Sequence, residues 1–218
     1  MRFLLFFFFL LLLYSCKHQA DEYTIKGLDI SHYQKRIDWA KFEGKAIDFV
    51  FIKATEADNY QDSLFADNWL ALKEKGIRVG AYHFFRPRRS AIDQAHFFLK
   101  TVPLTKGDLP PVLDVEELDG VDEMNLRLGV SLWLGEIEKA CHCKPIIYSS
   151  MNFYARYLHP EFSDYPLWIA RYSRKAPTTK NWLFWQYSNK GRHSGISTQV
   201  DLNVFSATKA DLDALLLP

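Results

Sequence analysis

Eight short β-rich runs, most of them separated by helical patterns, constrain this chain more than any other feature. They cover residues 26–30, 49–54, 78–84, 111–115, 145–149, 167–171, 183–187 and 200–205. Helical patterns separate the first five runs from their successors. Phe65, Trp69 and Leu72 repeat at helical spacing ahead of a natural stop at Gly76. Ile92, Ala95, Leu99 and Val102 form a second stripe, ended by Pro103, and Leu126, Val130, Trp133, Ile137 and Cys141 form a third. The last three runs leave little room for helices. Strands alternating with helices argue for a parallel sheet, and eight of them argue for closure. The expectation is an α/β fold: a single TIM-like barrel with eight β-strands and about five helices, irregular and helix-poor toward its C-terminal end. An open doubly wound sheet competes with it, but no Gly-rich phosphate turn follows any strand.

The first residues stand apart from this pattern. Met1-Arg2 precedes an unbroken apolar run from Phe3 to Leu13, too short for a comfortable membrane span and suited to a signal-peptide core. Ser15-Cys16 then resembles the cleavage box of a bacterial lipoprotein, which implies that Cys16 becomes the lipidated N-terminus. A plain export signal with an incidental cysteine is the alternative. The expected organisation is a lipoprotein-type signal peptide over residues 1–15, a tether over 16–24 and the barrel over 25–218. Export to the cell envelope follows, with a lipid anchor in a membrane, either periplasmic or at the cell surface.

Charge and cysteine usage exclude several classes. Lys+Arg 27 against Asp+Glu 26 leaves no basic excess to neutralise phosphates, so no nucleic-acid partner is expected. A hydrophobic content of 48% with near-zero net charge excludes disorder as the main state. Cys141 and Cys143 form Cys-His-Cys without a second half elsewhere, so a thiol pair is expected rather than a metal site, and no cofactor is called for.

In a barrel of this kind the chemistry sits at the C-terminal ends of the strands. Asp29 ends the first run and Thr55-Glu56 follow the second. Tyr82 and His83 close the third, and Asp114 and Glu116 the fourth. Tyr148, Trp168, Arg171-Tyr172 and Gln186 belong to later runs, and Asp201 lies in the eighth. Residues 111–116, Pro-Val-Leu-Asp-Val-Glu, are the most informative. Residues two apart on a strand share a face, with Cα atoms about 6.6 Å apart. The carboxyl groups of Asp114 and Glu116 are then expected about 5–6 Å apart, the retaining-glycosidase range. Crowded carboxylates in an apolar strand also split their pKa values and keep one protonated as an acid. Alone, Asp-x-Glu is weak, because a solvated strand end has the same appearance.

Several segments together resemble glycoside hydrolase family 25, the lysozymes that cut peptidoglycan as N-acetylmuramidases. Gly27-Leu28-Asp29-Ile30-Ser31, with Gln34 and Ile37-Asp38-Trp39, is similar to the opening motif. Residues 51–56 are similar to the second-strand motif, Gly80-Ala81-Tyr82-His83-Phe84 to the third, and Asp114-Val115-Glu116 to the catalytic strand. Residues 167–172, Trp185-Gln186-Tyr187-Ser188, and Gly195-Ile196 with residues 200–203 are similar to the later ones. The resemblance spans about residues 25–205 and implies an eight-stranded barrel with fewer helices than strands.

It also implies roles. Glu116 is the general acid and then the base for water. Asp114 is its partner, as nucleophile or as stabiliser of a substrate-assisted intermediate. Asp29 and Asp201 complete an acidic floor. Tyr82, Tyr148, Trp168, Tyr172 and Gln186 are candidate sugar contacts, with core packing as the competing role for each. The implied partner is the peptidoglycan glycan strand, acted on by a monomer without metal. His83, of opposite strand parity to Tyr82, reads better as a hydrogen-bonded core residue. Lys53 lines the mouth or pairs with a carboxylate. Arg86-Pro87-Arg88-Arg89 either draws peptidoglycan carboxylates or is a solvated connector. Lys35 and Ala57 stand where the family often has glycine. A catalytically silent glycan-binding lipoprotein and a glycosidase for another N-acetylated polysaccharide are the alternatives.

Overall fold

The computed structural model describes residues 18–218. The signal peptide read over 1–15, the lipidation site Cys16 and Lys17 lie outside the described residues. The strands are β1 (Ile25–Ile30), β2 (Phe49–Glu56), β3 (Tyr60–Gln61), β4 (Arg78–Phe84), β5 (Val112–Asp114), β6 (Ile146–Ser150), β7 (Leu167–Ala170), β8 (Trp182–Gly191) and β9 (Val200–Phe205). Their order is β1-β9-β8-β7-β6-β5-β4-β2-β3, and β1 pairs with β2 to close the ring. β3 is a two-residue arm folded back on the end of β2, so eight strands make the barrel. Five α-helices accompany them: α1 (Phe65–Glu74), α2 (Ala91–Thr101), α3 (Glu123–Cys141), α4 (Met151–Phe153) and α5 (Lys209–Ala214).

Two connections differ from the sequence expectation. The segment between β1 and β2 holds no α-helix, only the 3-10 turns His32–Gln34 and Gly44–Ala46. Lys35 takes a left-handed φ of 58° directly after the first turn, which stops it from propagating. The sheet is also not wholly parallel, because β9 runs antiparallel to both β1 and β8. Only residues 192–199 join β8 to β9. A parallel return needs a crossover of about a dozen residues or more, so the chain turns back as a hairpin.

Strand alternation sorts side chains into two cores. Phe49, Phe51, Val112, Ile146, Phe184 and Phe205 point into the barrel. Gly27 and Gly80 leave room for this aromatic packing: a Cβ on Gly27 would lie 2.3 Å from the Phe49 ring, and one on Gly80 2.6 Å from Phe51. The opposite parity, Val50, Ile52, Val79, Ala81, Leu113 and Ile147, faces the helices. Phe65, Trp69 and Leu72 of α1 and Leu126, Val130, Trp133 and Ile137 of α3 are buried there as their spacing predicts. On α2 the buried face is Ala91, Gln94, Ala95 and Phe98, while Ile92 is exposed. Asp122 caps α3 by accepting the Asn125 N–H at 2.8 Å, and His142 ends it in the left-handed region. Leu212 of α5 packs into the inner cluster, and Leu217 is tied to Gly107 and Asp108 by backbone hydrogen bonds.

Of the segment read as a tether, residues 18–24 lie against the barrel. Gln19–Glu22 form a 3-10 turn whose Ala20 is buried with Trp185 and Val204. The Gln19 N–H donates to the Arg174 carbonyl at 2.9 Å, and its side-chain carbonyl accepts from the Ala176 N–H at 2.9 Å.

Candidate active site

The inward parity of the strand ends places the predicted residues together. Asp29 and Asp201 are cross-strand partners of β1 and β9, and Asp114 pairs in register with Tyr148 of β6. The antiparallel course of β9 matters here. It brings the start of that strand, and with it Asp201, to the mouth where the parallel strands end. One cavity of about 200 Å³ is lined by Asp29, Tyr82, Asp114, Glu116, Tyr148, Trp168, Tyr172, Gln186 and Asp201. These are the four acidic and five sugar-contact candidates of the sequence analysis. Larger grooves exist; one lies apart from this constellation and another shares Tyr172 with it.

The floor is a fixed polar network. One Asp29 carboxylate oxygen accepts from Gln186 Nε2 at 2.8 Å and from Asn203 Nδ2 at 2.7 Å. Gln186 Oε1 accepts from the hydroxyls of Tyr148 and Tyr172, each at 2.8 Å. Trp168 Nε1 donates to Asn203 Oδ1 at 2.8 Å. Asn203 is the member that the sequence analysis missed. Its signal was its position two residues after Asp201 on one strand, hence on the same face. The network gives the aromatic residues two functions at once. Trp168 stacks on Phe51 below, with ring centroids 4.5 Å apart, and turns its indole N–H to the floor. Tyr148 packs edge-on against Trp168 at 4.5 Å.

Burial and mutual repulsion raise the pKa of all four carboxyl groups. Asp29 is held well above the carboxylate range by burial and then by Asp201, against the lowering effect of its two amide donors. Asp114 is likewise held well above it, by burial and then by Glu116. Burial raises Glu116 as well, and Asp201 is pushed up to about 6 by burial and by Glu116. Glu116 is among the causes that raise Asp114, so the two carboxyl groups act on each other at the mouth. β5 ends at Asp114, so Glu116 lies two residues beyond the regular strand. Asp114 is buried, with Oδ1 lacking a hydrogen-bond partner among the described residues, whereas Glu116 stands exposed at the rim. Asp114 thus keeps one buried acceptor atom without a protein partner among the described residues, at the cavity it lines.

The surrounding residues divide clearly. Lys53 Nζ pairs with Glu56 at 2.6 Å, and its charge lowers both Asp114 and Glu116. Arg86 pairs with Glu56 at 2.6 Å and with Glu117, and Arg89 pairs with Asp58 at 2.9 Å. Two charges of the basic loop are thus engaged within the protein. His83 is buried against the helices. It accepts from the Thr55 hydroxyl at 2.7 Å, donates to Gln94 Oε1 at 3.0 Å, and is pushed down to about 4 by burial. Cys141 and Cys143 are free, half-buried thiols at the end of α3. Lys35 and Ala57 both have positive φ, 58° and 53°, which accounts for the glycine expected at each.

Comparison with known proteins agrees with this geometry. The family described as glycosyl hydrolases family 25 matches residues 28–196. The uncharacterized protein YegX of Escherichia coli strain K12 is 44% identical over 201 residues, covering 89% of this chain and 74% of that protein. Lysozyme M1 of Streptomyces globisporus is 32% identical, covering 90% of this chain and 72% of that protein. The solved structure of a family 25 glycosyl hydrolase from Bacillus anthracis superposes with a TM-score of 0.83 at 34% identity, covering 91% of this chain and 96% of that one.

Proposed function

Because the chain belongs to family 25 of the glycosyl hydrolases, and is therefore a glycoside hydrolase, we propose that it hydrolyses the β-1,4 bond between N-acetylmuramic acid and N-acetylglucosamine in peptidoglycan, with net retention. The observation that carries this reading is the convergence of Asp29, Asp114, Glu116 and Asp201 on one aromatic-walled cavity. Such a cavity offers a sugar both stacking faces and fixed polar partners.

The raised pKa values of Asp114 and Glu116 favour a substrate-assisted course, because a carboxyl group that holds its proton is a poor nucleophile. In the proposed reaction the acetamido N–H of the substrate donates to Asp114. That hydrogen bond favours the charged form of Asp114, while the raised pKa of Glu116 keeps it protonated as the acid. Glu116 then protonates the glycosidic oxygen as the C–O bond breaks, and the acetamido oxygen bonds to the anomeric carbon from the opposite face. Water next attacks that carbon while Glu116 takes its proton, the acetamide reforms, and the configuration is retained. Asp29, held by Gln186 and Asn203, and Asp201 beside it keep the cluster electrostatically crowded, so that a proton is retained on the pair.

The reading includes export, with Cys16 carrying lipid and the barrel acting as a monomer in the envelope. The support is the apolar run ending at Leu13 and the Ser15-Cys16 junction. The test of the activity is digestion of peptidoglycan, reduction of the products with borohydride, and mass spectrometry. Fragments ending in reduced N-acetylmuramic acid, first formed as the β-anomer by proton NMR, are expected. Fragments ending in reduced N-acetylglucosamine, or first formed as the α-anomer, would overturn the bond or the stereochemistry proposed.

A further inference from the structure

The rim beside β1 carries a surface that the reaction above does not use. The turn His32–Gln34 follows the mouth end of β1, and Tyr60 in β3 pairs with Glu56 at the mouth end of β2. Tyr33 is 71% exposed and stands 4.1 Å from the His32 ring, centroid to centroid. The Tyr60 ring meets the same imidazole at 6.2 Å and is itself 39% exposed. With Tyr172 these are the exposed tyrosines among the described residues, and all three border the mouth. The other large exposed apolar residues, Leu70, Ile92, Met124, Leu128 and Leu132, lie on the surrounding helices.

The protein holds this aromatic group at some expense of stability. Asp62, 1% exposed, accepts from the His32 backbone N–H at 3.0 Å and binds its Nδ1 at 2.6 Å. Its other oxygen accepts from the Leu64 N–H at 3.0 Å, so this buried carboxylate ties the turn to the start of α1 as well as orienting a partly exposed ring. Lys35 closes the turn at φ 58° and ψ −166°, a region open essentially to glycine. Ser31 and Gln34 lock the turn from within through a capping box, and Gln34 Nε2 donates to the Gln199 carbonyl at 3.2 Å. None of these contacts buries Tyr33. Strain, a buried charge and a solvent-facing aromatic ring on one turn are the marks of a surface built for a ligand.

The cavity volume of about 200 Å³ is on the scale of one sugar ring. A polymer cleaved there must continue over the rim. We propose that Tyr33, oriented by His32 and flanked by Tyr60, is a stacking platform for a further pyranose of the glycan strand, one beyond the sugars at the scissile bond. The proposal rests on the glycosidase reading above. Tyr33 supplies the apolar face, and Tyr60 closes the platform on the β2 side, where Lys53 Nζ stands 5.8 Å from its ring centre. Asp62 is a positioning residue that acts through His32.

The test uses the full chain on peptide-free glycan strands of two lengths, a tetrasaccharide and an octasaccharide. The quantity read is the ratio of kcat/KM for the long strand over the short one. Tyr33→Ala should lower that ratio about fivefold, and Tyr33→Phe should restore it. Tyr33 is exposed, so folding is not at issue, and far-UV circular dichroism checks it. A ratio unchanged within about twofold, whatever the absolute rates, would overturn the platform. If neither strand is cleaved by the wild type, the bond assignment fails and the platform is read separately. Octasaccharide affinity by calorimetry should then fall about fivefold in Tyr33→Ala, and an unchanged affinity would overturn it.

Discussion

Asp201 is the residue whose electrostatics can be measured most directly. Burial and the neighbouring Glu116 carry it from its ordinary value of 3.8 to about 6 in the folded protein. The native state therefore holds this proton more tightly than the unfolded chain. Its contribution to stability is fully present below the unfolded value and is lost as pH rises through about 6. Above that pH the ionised group opposes folding. Asp201→Asn is predicted to exceed the wild type in stability by roughly 1–3 kcal/mol at pH 8, with the advantage disappearing below about pH 4. Urea unfolding at the two pH values checks this, and a difference independent of pH would contradict it. At this scale the sequence was informative for a definite reason. Aspartate, glutamate and tyrosine on strand ends are conspicuous, and strand parity tells which of them share a face. Asn203 escaped notice because it is neutral, although it links Asp29 to Trp168.

Among the elements, the barrel depends on glycines facing aromatic rings. Gly80 of β4 is in register with Phe51 of β2, and a Cβ there would also come within 3.1 Å of Leu109. Both neighbours belong to the packed inner core, so neither can move freely. Gly80→Ala is predicted to destabilise the fold by about 1–3 kcal/mol, through overpacking beneath the floor of the acidic cavity. Denaturant titration measures it, and a neutral or stabilising result would show that the inner core is looser than described. Elements with strong local periodicity were legible: α1 and α3 bury the stripes their spacing predicts. The face of α2 was displaced because Ala91 and Ile92 are adjacent and only tertiary packing chooses between them. The direction of β9 was not legible from its own residues, since loop length rather than strand composition sets it. The absence of a first helix had a similar origin, in the left-handed residue at Lys35.

For the whole molecule, balanced charge gives no long-range attraction to an anionic wall, and Arg86 and Arg89 are already paired. A lipid at Cys16 would raise local concentration instead. Residues 18–24 lie along the barrel, so the anchor would hold the catalytic domain close to its membrane. Metabolic labelling with a tagged fatty acid should mark the wild-type chain and leave Cys16→Ala unmarked, and label on both would contradict anchoring at Cys16. Anchor, aromatic rim and acidic cavity all serve one assertion, that Glu116 is the proton donor and acceptor for cleavage of a glycan strand. The most direct test is hydrolysis of peptidoglycan glycan by the wild type beside Glu116→Gln, with kcat and KM measured separately. The account predicts a fall in kcat of roughly 10²–10⁴-fold with KM nearly unchanged. Retention of more than about a tenth of the wild-type kcat would contradict it.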